Sequence, residues 1–257
     1  MMTALLNKMN EVSTDWLYFR SKYRKPLSDL PPKLYSYWQR TAAFEFKGIP
    51  QDAFFARATE GLMMFFDCVT RSSLPCGLPS KAADSVWHAW IRFAPEHLDR
   101  FCITHFGRTI PHTEAGEMSL PMESALANTL VTARKIDGLP VAGMNVPKLF
   151  SLDRRLRMPN GFAYSLAKGQ VAYRDMDRQG KGSGKVHCPP GLNAAGLLGA
   201  GLVSVSAYED YKTKADKSGG GGCGSGCGSS ACDGGGGGDG GGGCGSGCGG
   251  GCGGGCG

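Results

Sequence analysis

Residues 84–112, DSVWHAWIRFAPEHLDRFCITHFGRTIPH, bring carboxylate and imidazole side chains together at spacings that can do chemistry. Asp84 and His88 are four residues apart, which puts both on one face of a helix. Asp84 also falls in the first turns, where the backbone dipole favours a negative charge. The helix that follows after a very short connection folds back beside the first and carries Cys102 and His105 on its inner side. Beyond Gly107 the chain turns, and Pro111 holds His112 extended, able to point back at the helix pair. Carboxylate and imidazole together suit zinc or non-haem iron, with water completing an open site. The candidate ligands are Asp84, His88 and His112, with His105 nearby. Two other chemistries fit the same residues. His88 is a general base if Asp84 orients its ring, and all three are a buried polar network if they only bond one another, which specifies a unique core when every member is satisfied.

The elements that must position these residues are mostly helical. PKLYSYWQRTAAF repeats Leu34, Trp38 and Ala42 on one side, and DAFFARATEGLMMFFDC repeats Phe55, Ala58, Leu62, Phe65 and Phe66, both at the spacing of a helix facing a core. Ser80 is placed to cap a helix that turns Ala83, Trp87, Trp90 and Ile91 inward. Pro95 opens the next helix, with Leu98, Phe101, Cys102 and Phe106 inward, and Gly107 closes it. Trp87 and Trp90 read as core, Cys102 as a small buried hydrophobe, and His97, opposite the inner stripe, as surface. A further helix carries Met122, Leu126, Leu130 and Ala133 and stops at DGLP. The period then changes. GFAYSLAKGQVAYRD alternates Phe162, Tyr164 and Leu166, then Val171 and Tyr173, about Lys168-Gly169, the signature of a short hairpin, and DRQGKGSGKVHCPPG after it reads as a basic loop.

The fold class expected is therefore mainly α: a helical domain with a small β-hairpin, then a disordered Gly/Cys-rich tail. The divisions are an N-terminal segment 1–30, a helical core 31–138, a mixed region 139–217 packed on that core, and the tail 218–257. The series Asp84-x-x-Trp87-His88-x-Trp90-Ile91, Phe101-Cys102, Phe106-Gly107-Arg108 and His112 resembles the glycine-rich domain-containing protein-like family. Its bacterial members carry a similar D-x-x-W-H-x-F-I, F-C, F-G-R and H series in the same order, often before a glycine-rich tail. Trp90 stands where those members have phenylalanine and where plant members have a second histidine. The resemblance spans about residues 30–115 and implies that Asp84, His88 and His112 act as one unit.

Composition narrows the rest. The formal charge of +6 over 257 residues is modest, so it permits an acidic or nucleic-acid partner and argues for none. Arg154, Arg155 and Arg157 in LDRRLRMPNG read as a solvated face, since no nucleic-acid-binding fold or aromatic interleaving accompanies them. GKGSGK, residues 180–185, lacks the preceding strand and following helix of a phosphate cradle. The N-terminus has charges where a secretory signal needs an apolar run, which points to the cytoplasm. The uncharged stretch 191–208, near the minimum spanning length but diluted by glycine, serine and asparagine, reads as a small-residue element packed on the domain rather than a membrane span.

The tail holds Cys223, Cys227, Cys232, Cys244, Cys248, Cys252 and Cys256. Their spacing is wider than zinc knuckles use, yet thiolates on unstructured glycine chain can wrap a soft ion such as Cu(I) or Zn(II), or serve redox chemistry. A flexible appendage with incidental thiols, and a resemblance to the modified glycine, serine and cysteine-rich region of heterocyclised microcins, are the competing readings. The function expected is a soluble, cytoplasmic binding or interaction protein with an Asp/His site for zinc or iron and a thiol-rich tail. An enzyme built on His88 and tail-driven metal or redox binding are the alternatives.

Overall fold

The computed structural model describes residues 18–42, 49–114, 116–117, 119–167 and 169–217. The readings made for the Gly/Cys-rich tail and its seven cysteines lie outside the described residues. Two short helices, α1 (Arg24–Ser28) and α2 (Leu34–Thr41), lead into α3 (Gln51–Arg71). Apolar side chains on nearly every face of α3, among them Phe54, Phe55, Leu62, Met63, Phe65 and Phe66, are buried, as a helix at the centre of a core requires. Next come α4 (Lys81–Phe93) and α5 (Pro95–Phe106), which is closed by Gly107 at φ +78. That left-handed stop costs glycine nothing. Helix α6 (Met122–Ile136) and the short α7 (Leu152–Leu156) complete the shell around α3. Their close approach depends on Gly61, where a Cβ would fall 2.2 Å from the Leu152 side chain.

One apolar cluster joins α1 to α5 through Leu27, Trp38, Leu62, Trp87, Trp90 and Phe101, and reaches forward to Leu152 and Leu156. A second lies under the sheet and includes Leu130, Val131, Phe150, Tyr164, Val171 and Leu197. The expected hairpin is present as β1 (Phe162–Ala167) and β2 (Gln170–Met176), turning through Gly169 at φ +76. The following segment is not a loop. Residues Gly182–His187 form β3, antiparallel to β2, giving the order β1-β2-β3. Glycines at 182 and 184 and an irregular register between Tyr173 and Asp175 erase the alternation that would have announced it.

The stretch 191–208 is broken rather than continuous. A single 3-10 turn (Pro190–Leu192) precedes α8 (Ala194–Gly199), whose first turn is capped by Asn193 Oδ1 accepting from Gly196 N at 2.7 Å, and α9 (Val205–Lys217) follows. Among the described residues no helix is long and apolar enough to cross a membrane.

One buried carboxylate binds these pieces together. Asp153, 1% exposed, accepts hydrogen bonds from Ser80 Oγ at 2.6 Å and from the backbone N–H groups of Lys81, Ala82 and Phe162 at 3.0 Å each. Ser80 in turn accepts from Ala83 N at 3.2 Å, so the free amides at the start of α4 are met by two side chains rather than one. Burial pushes the Asp153 carboxyl up, and the bonds from Ser80, Ala82, Phe162 and Lys81 pull it back. Sequence reading placed Asp153 inside a solvated basic cluster. Its neighbours Arg154 and Arg155 are indeed exposed, but Asp153 faces the opposite way. Removing a buried acceptor strands its donors at about 1–3 kcal/mol for each unmet group. Asp153→Ala is therefore expected to lower stability by at least about 3 kcal/mol, and Asp153→Asn, which keeps one acceptor oxygen, by clearly less. Urea unfolding of the full chain measures both, and an alanine variant within about 1 kcal/mol of wild type would contradict the anchor.

Candidate metal centre

Helix α4 begins where Ser80 and Asp153 fix it, and one turn later it presents Asp84. The expected inward stripe holds for Ala83, Trp87 and Trp90, which are buried, while Ile91 is half-buried. Asp84 and His88 lie at the edge of that stripe, with side chains 29% and 37% exposed. His112 reaches them from the segment after α5. Ile110, 4% exposed, plugs this segment into the main core, and the Arg108 guanidinium donates to the Val69 carbonyl at the end of α3. The Trp87 ring then packs edge-on against His112, with centroids 4.5 Å apart, and limits how the imidazole can turn.

The three side chains converge as expected. His112 Nε2 is 3.2 Å from Asp84 Oδ1, and His88 Nε2 is 3.4 Å from Asp84 Oδ2. The two imidazole rings meet at a centroid distance of 4.5 Å, and one ligand atom from each residue lies within 4.8 Å of the others. Burial alone would raise the Asp84 carboxyl, but hydrogen bonds from His112 and His88 and their charge outweigh it and hold it at about 2. The hydrogen bond to Asp84 raises His88 above the ordinary histidine range, against the opposing pull of partial burial. Each Asp84 oxygen thus faces one imidazole nitrogen, and a proton or a metal ion can occupy the space between them.

His105 is not part of this group. Its Nε2 lies 2.9 Å from Asp29 Oδ2, with the side chain 5% exposed and the ring against Phe101 at 4.6 Å. Turning Leu98, Phe101 and Cys102 into the core leaves His105 on the side of α5 that meets the chain after α1, so it clasps the N-terminal segment instead. Cys102 is the buried hydrophobe expected, its thiol pushed up to about 12 by burial. His97 departs from the surface reading. It is half-buried beside Trp90 and Phe101, with Nδ1 sealed from solvent. A second His/Asp pair, His187 Nε2 to Asp175 Oδ2 at 3.4 Å, joins β3 to β2 with Tyr173 stacked on the imidazole. Sequence reading had no signal for it, since it depends on a strand that the glycines concealed.

A family model described as UCP032817-like matches residues 51–190, more than half of the chain. That range holds Asp84, His88, His112, Asp153 and the whole sheet, and stops before α8. No curated protein and no solved structure matches the chain.

The paired shifts give a pH window with a definite sign. His88 is raised in the folded protein, so its contribution is full below its ordinary value of about 6.5 and fades as pH rises through the folded value. Asp84 is lowered, so its contribution is full above about 3.9 and fades as pH falls through the folded value. In metal-free protein the Tm difference between wild type and Asp84→Asn is expected to be largest between about pH 4 and 6.5 and to narrow on both sides. A thermal melt series in chelator tests this, and a difference that does not vary from acid to alkaline pH would show that the pair is not charged.

Proposed function

We propose that this chain, which belongs to the UCP032817-like family, is a divalent-metal-binding protein that holds zinc or iron between Asp84, His88 and His112. The observation that carries the reading is the distance set around Asp84. Ligands about 2.1 Å from a zinc ion at tetrahedral angles lie about 3.4 Å from one another; here each imidazole is 3.2 or 3.4 Å from one of the two Asp84 oxygens, and one ligand atom from each residue lies within 4.8 Å of the others. No large rearrangement is needed to replace the shared protons by an ion. Two imidazoles and one carboxylate satisfy a borderline cation and leave at least one position for water or a further ligand, the donor set used by zinc hydrolases and by non-haem iron sites. The resemblance of the 84–112 series to glycine-rich domain-containing proteins supports the same grouping. The partial exposure of His88 favours one second reading, an enzyme in which His88 acts as a base oriented by Asp84, because a purely structural network would be sealed.

Metal content by elemental mass spectrometry separates these readings. The full chain, with its seven tail cysteines replaced by serine and purified without chelator, is expected to carry about one equivalent of zinc or iron. His88→Ala and Asp84→Ala in the same background are each expected to lose it. A metal-free parent that does not take up added zinc or ferrous iron would overturn the proposal, and metal bound only when the tail cysteines are restored would assign binding to the tail.

A further inference from the structure

The net charge of the chain is concentrated in one region. Residues 148–187 contain nine basic and three acidic side chains, an excess of six that equals the formal charge of the whole chain, +6. The remaining sequence is balanced. The fold gathers these charges further. Arg154 and Arg155 are exposed on α7, opposite buried Asp153, and Arg157 ends that helix at φ 50. The turn between β2 and β3 lies directly against it: a Cβ at Gly180 would fall 2.0 Å from the Arg157 carbonyl oxygen, and Asn160 N donates to Asp177 O at 3.1 Å. That turn carries Arg178 and Lys181, and β3 continues with Lys185, all three exposed.

The acidic residues of the same segment do not neutralise them. Asp153 is enclosed among its four donors. Asp177 Oδ1 accepts from the backbone of Gln179 at 2.8 Å and Lys181 at 2.9 Å, and Asp175 pairs with His187. Among the described residues no ion pair reaches Arg154, Arg155, Arg157, Arg178, Lys181 or Lys185. Like charges held together on rigid elements repel, and an anionic partner relieves that repulsion.

We infer that this face, formed by α7, the β2–β3 turn and β3, binds the phosphate backbone of a nucleic acid. Four of its six cations are arginines, whose planar forks match phosphate oxygens in pairs. All six are exposed on elements whose backbones touch at Arg157 and Gly180. A lipid surface suits the face less well, because Leu166 is the one exposed large apolar side chain among the described residues 148–187, and peripheral membrane binding needs apolar insertion besides charge. The sequence alone gave a solvated arginine cluster; contact of that cluster with the strand hidden in GKGSGK turns it into a surface.

Fluorescence anisotropy of the full chain with a labelled 20-nucleotide oligonucleotide and a 20-base-pair duplex tests the inference. Binding of at least one is expected, with log K falling against log salt by about 0.7–0.9 for each phosphate neutralised, a slope of roughly −4 to −5 for six cations. The variant Arg154→Gln, Arg155→Gln, Lys181→Gln is expected to lose at least tenfold in affinity at low salt and about two units of that slope. A control variant, Lys25→Gln, Lys212→Gln, Lys214→Gln, removes the same charge from exposed positions elsewhere and is expected to leave both nearly unchanged. Neither nucleic acid binding, an equal loss in the control, or equally tight binding to polyglutamate or to phosphatidylserine vesicles would overturn it.

Discussion

A carboxylate sealed from water among four donors sets the frame of this protein. Asp153 carries a charge into the core, where isolation would cost far more than any single contact returns. The cost is offset because the donors are already there: the N–H groups at the start of α4, which lack partners within the helix, the Ser80 hydroxyl, and the first amide of β1. Each side resolves the other's deficit. Gly161 completes the fit, since a Cβ there would fall 2.7 Å from an Asp153 oxygen. The start of α4 is thereby held in one pose with α7 and β1, more than 70 residues further along the chain.

The cluster of Asp84, His88 and His112 inherits that pose. Asp84 lies one turn beyond the capped start of α4, and its N–H bonds back to Ser80 O at 3.1 Å, so the anchor fixes where the carboxylate begins. His112 is held from the segment after α5, through buried Ile110 and the hold of Arg108 on α3, and Trp87 of α4 packs against its ring. The two supports bring His112 Nε2 to 3.2 Å from Asp84 Oδ1. The same arrangement draws protons: His88 is raised because Asp84 is beside it.

Helical period made the long helices legible, because each buries a wide stripe against α3 and the stripe is written in the spacing of Phe, Leu and Trp. The capping role of Ser80, the stop at Gly107 and the hairpin at Gly169 were equally readable, as single residues whose chemistry permits few alternatives. The pairing of Asp84 with His88 was readable in a four-residue spacing, and the inclusion of His112 was what the resemblance of the 84–112 series implied. What escaped was long-range or masked. Asp153 looks like any acid in a charged run, and only the arrival of α4 at its carboxylate reveals it as core. His105 lies one turn from Phe101 on α5 and packs against its ring, yet its imidazole nitrogen goes to Asp29 of the chain after α1. Strand β3 has the hydrogen bonds of a strand without its side-chain alternation, since glycines occupy two of its six positions.

These misread positions are connected. Helix α7 is five residues long, too short to be stable by itself. Its conformation is imposed by Leu152 and Leu156 in the main core and by Asp153 at the start of α4. Facing inward, it secures the helix that carries Asp84 and His88. Facing outward, it displays Arg154 and Arg155, and its end at Arg157 lies against the β2–β3 turn. A single element thus turns an anion toward the start of the helix that carries Asp84 and its cations toward solvent. The sign of the buried residue decides this polarity: a cation at 153 would meet the positive end of the α4 backbone dipole, whereas an anion there stabilises it. The basic residues that follow Asp153, Arg154 and Arg155, are then left to solvent.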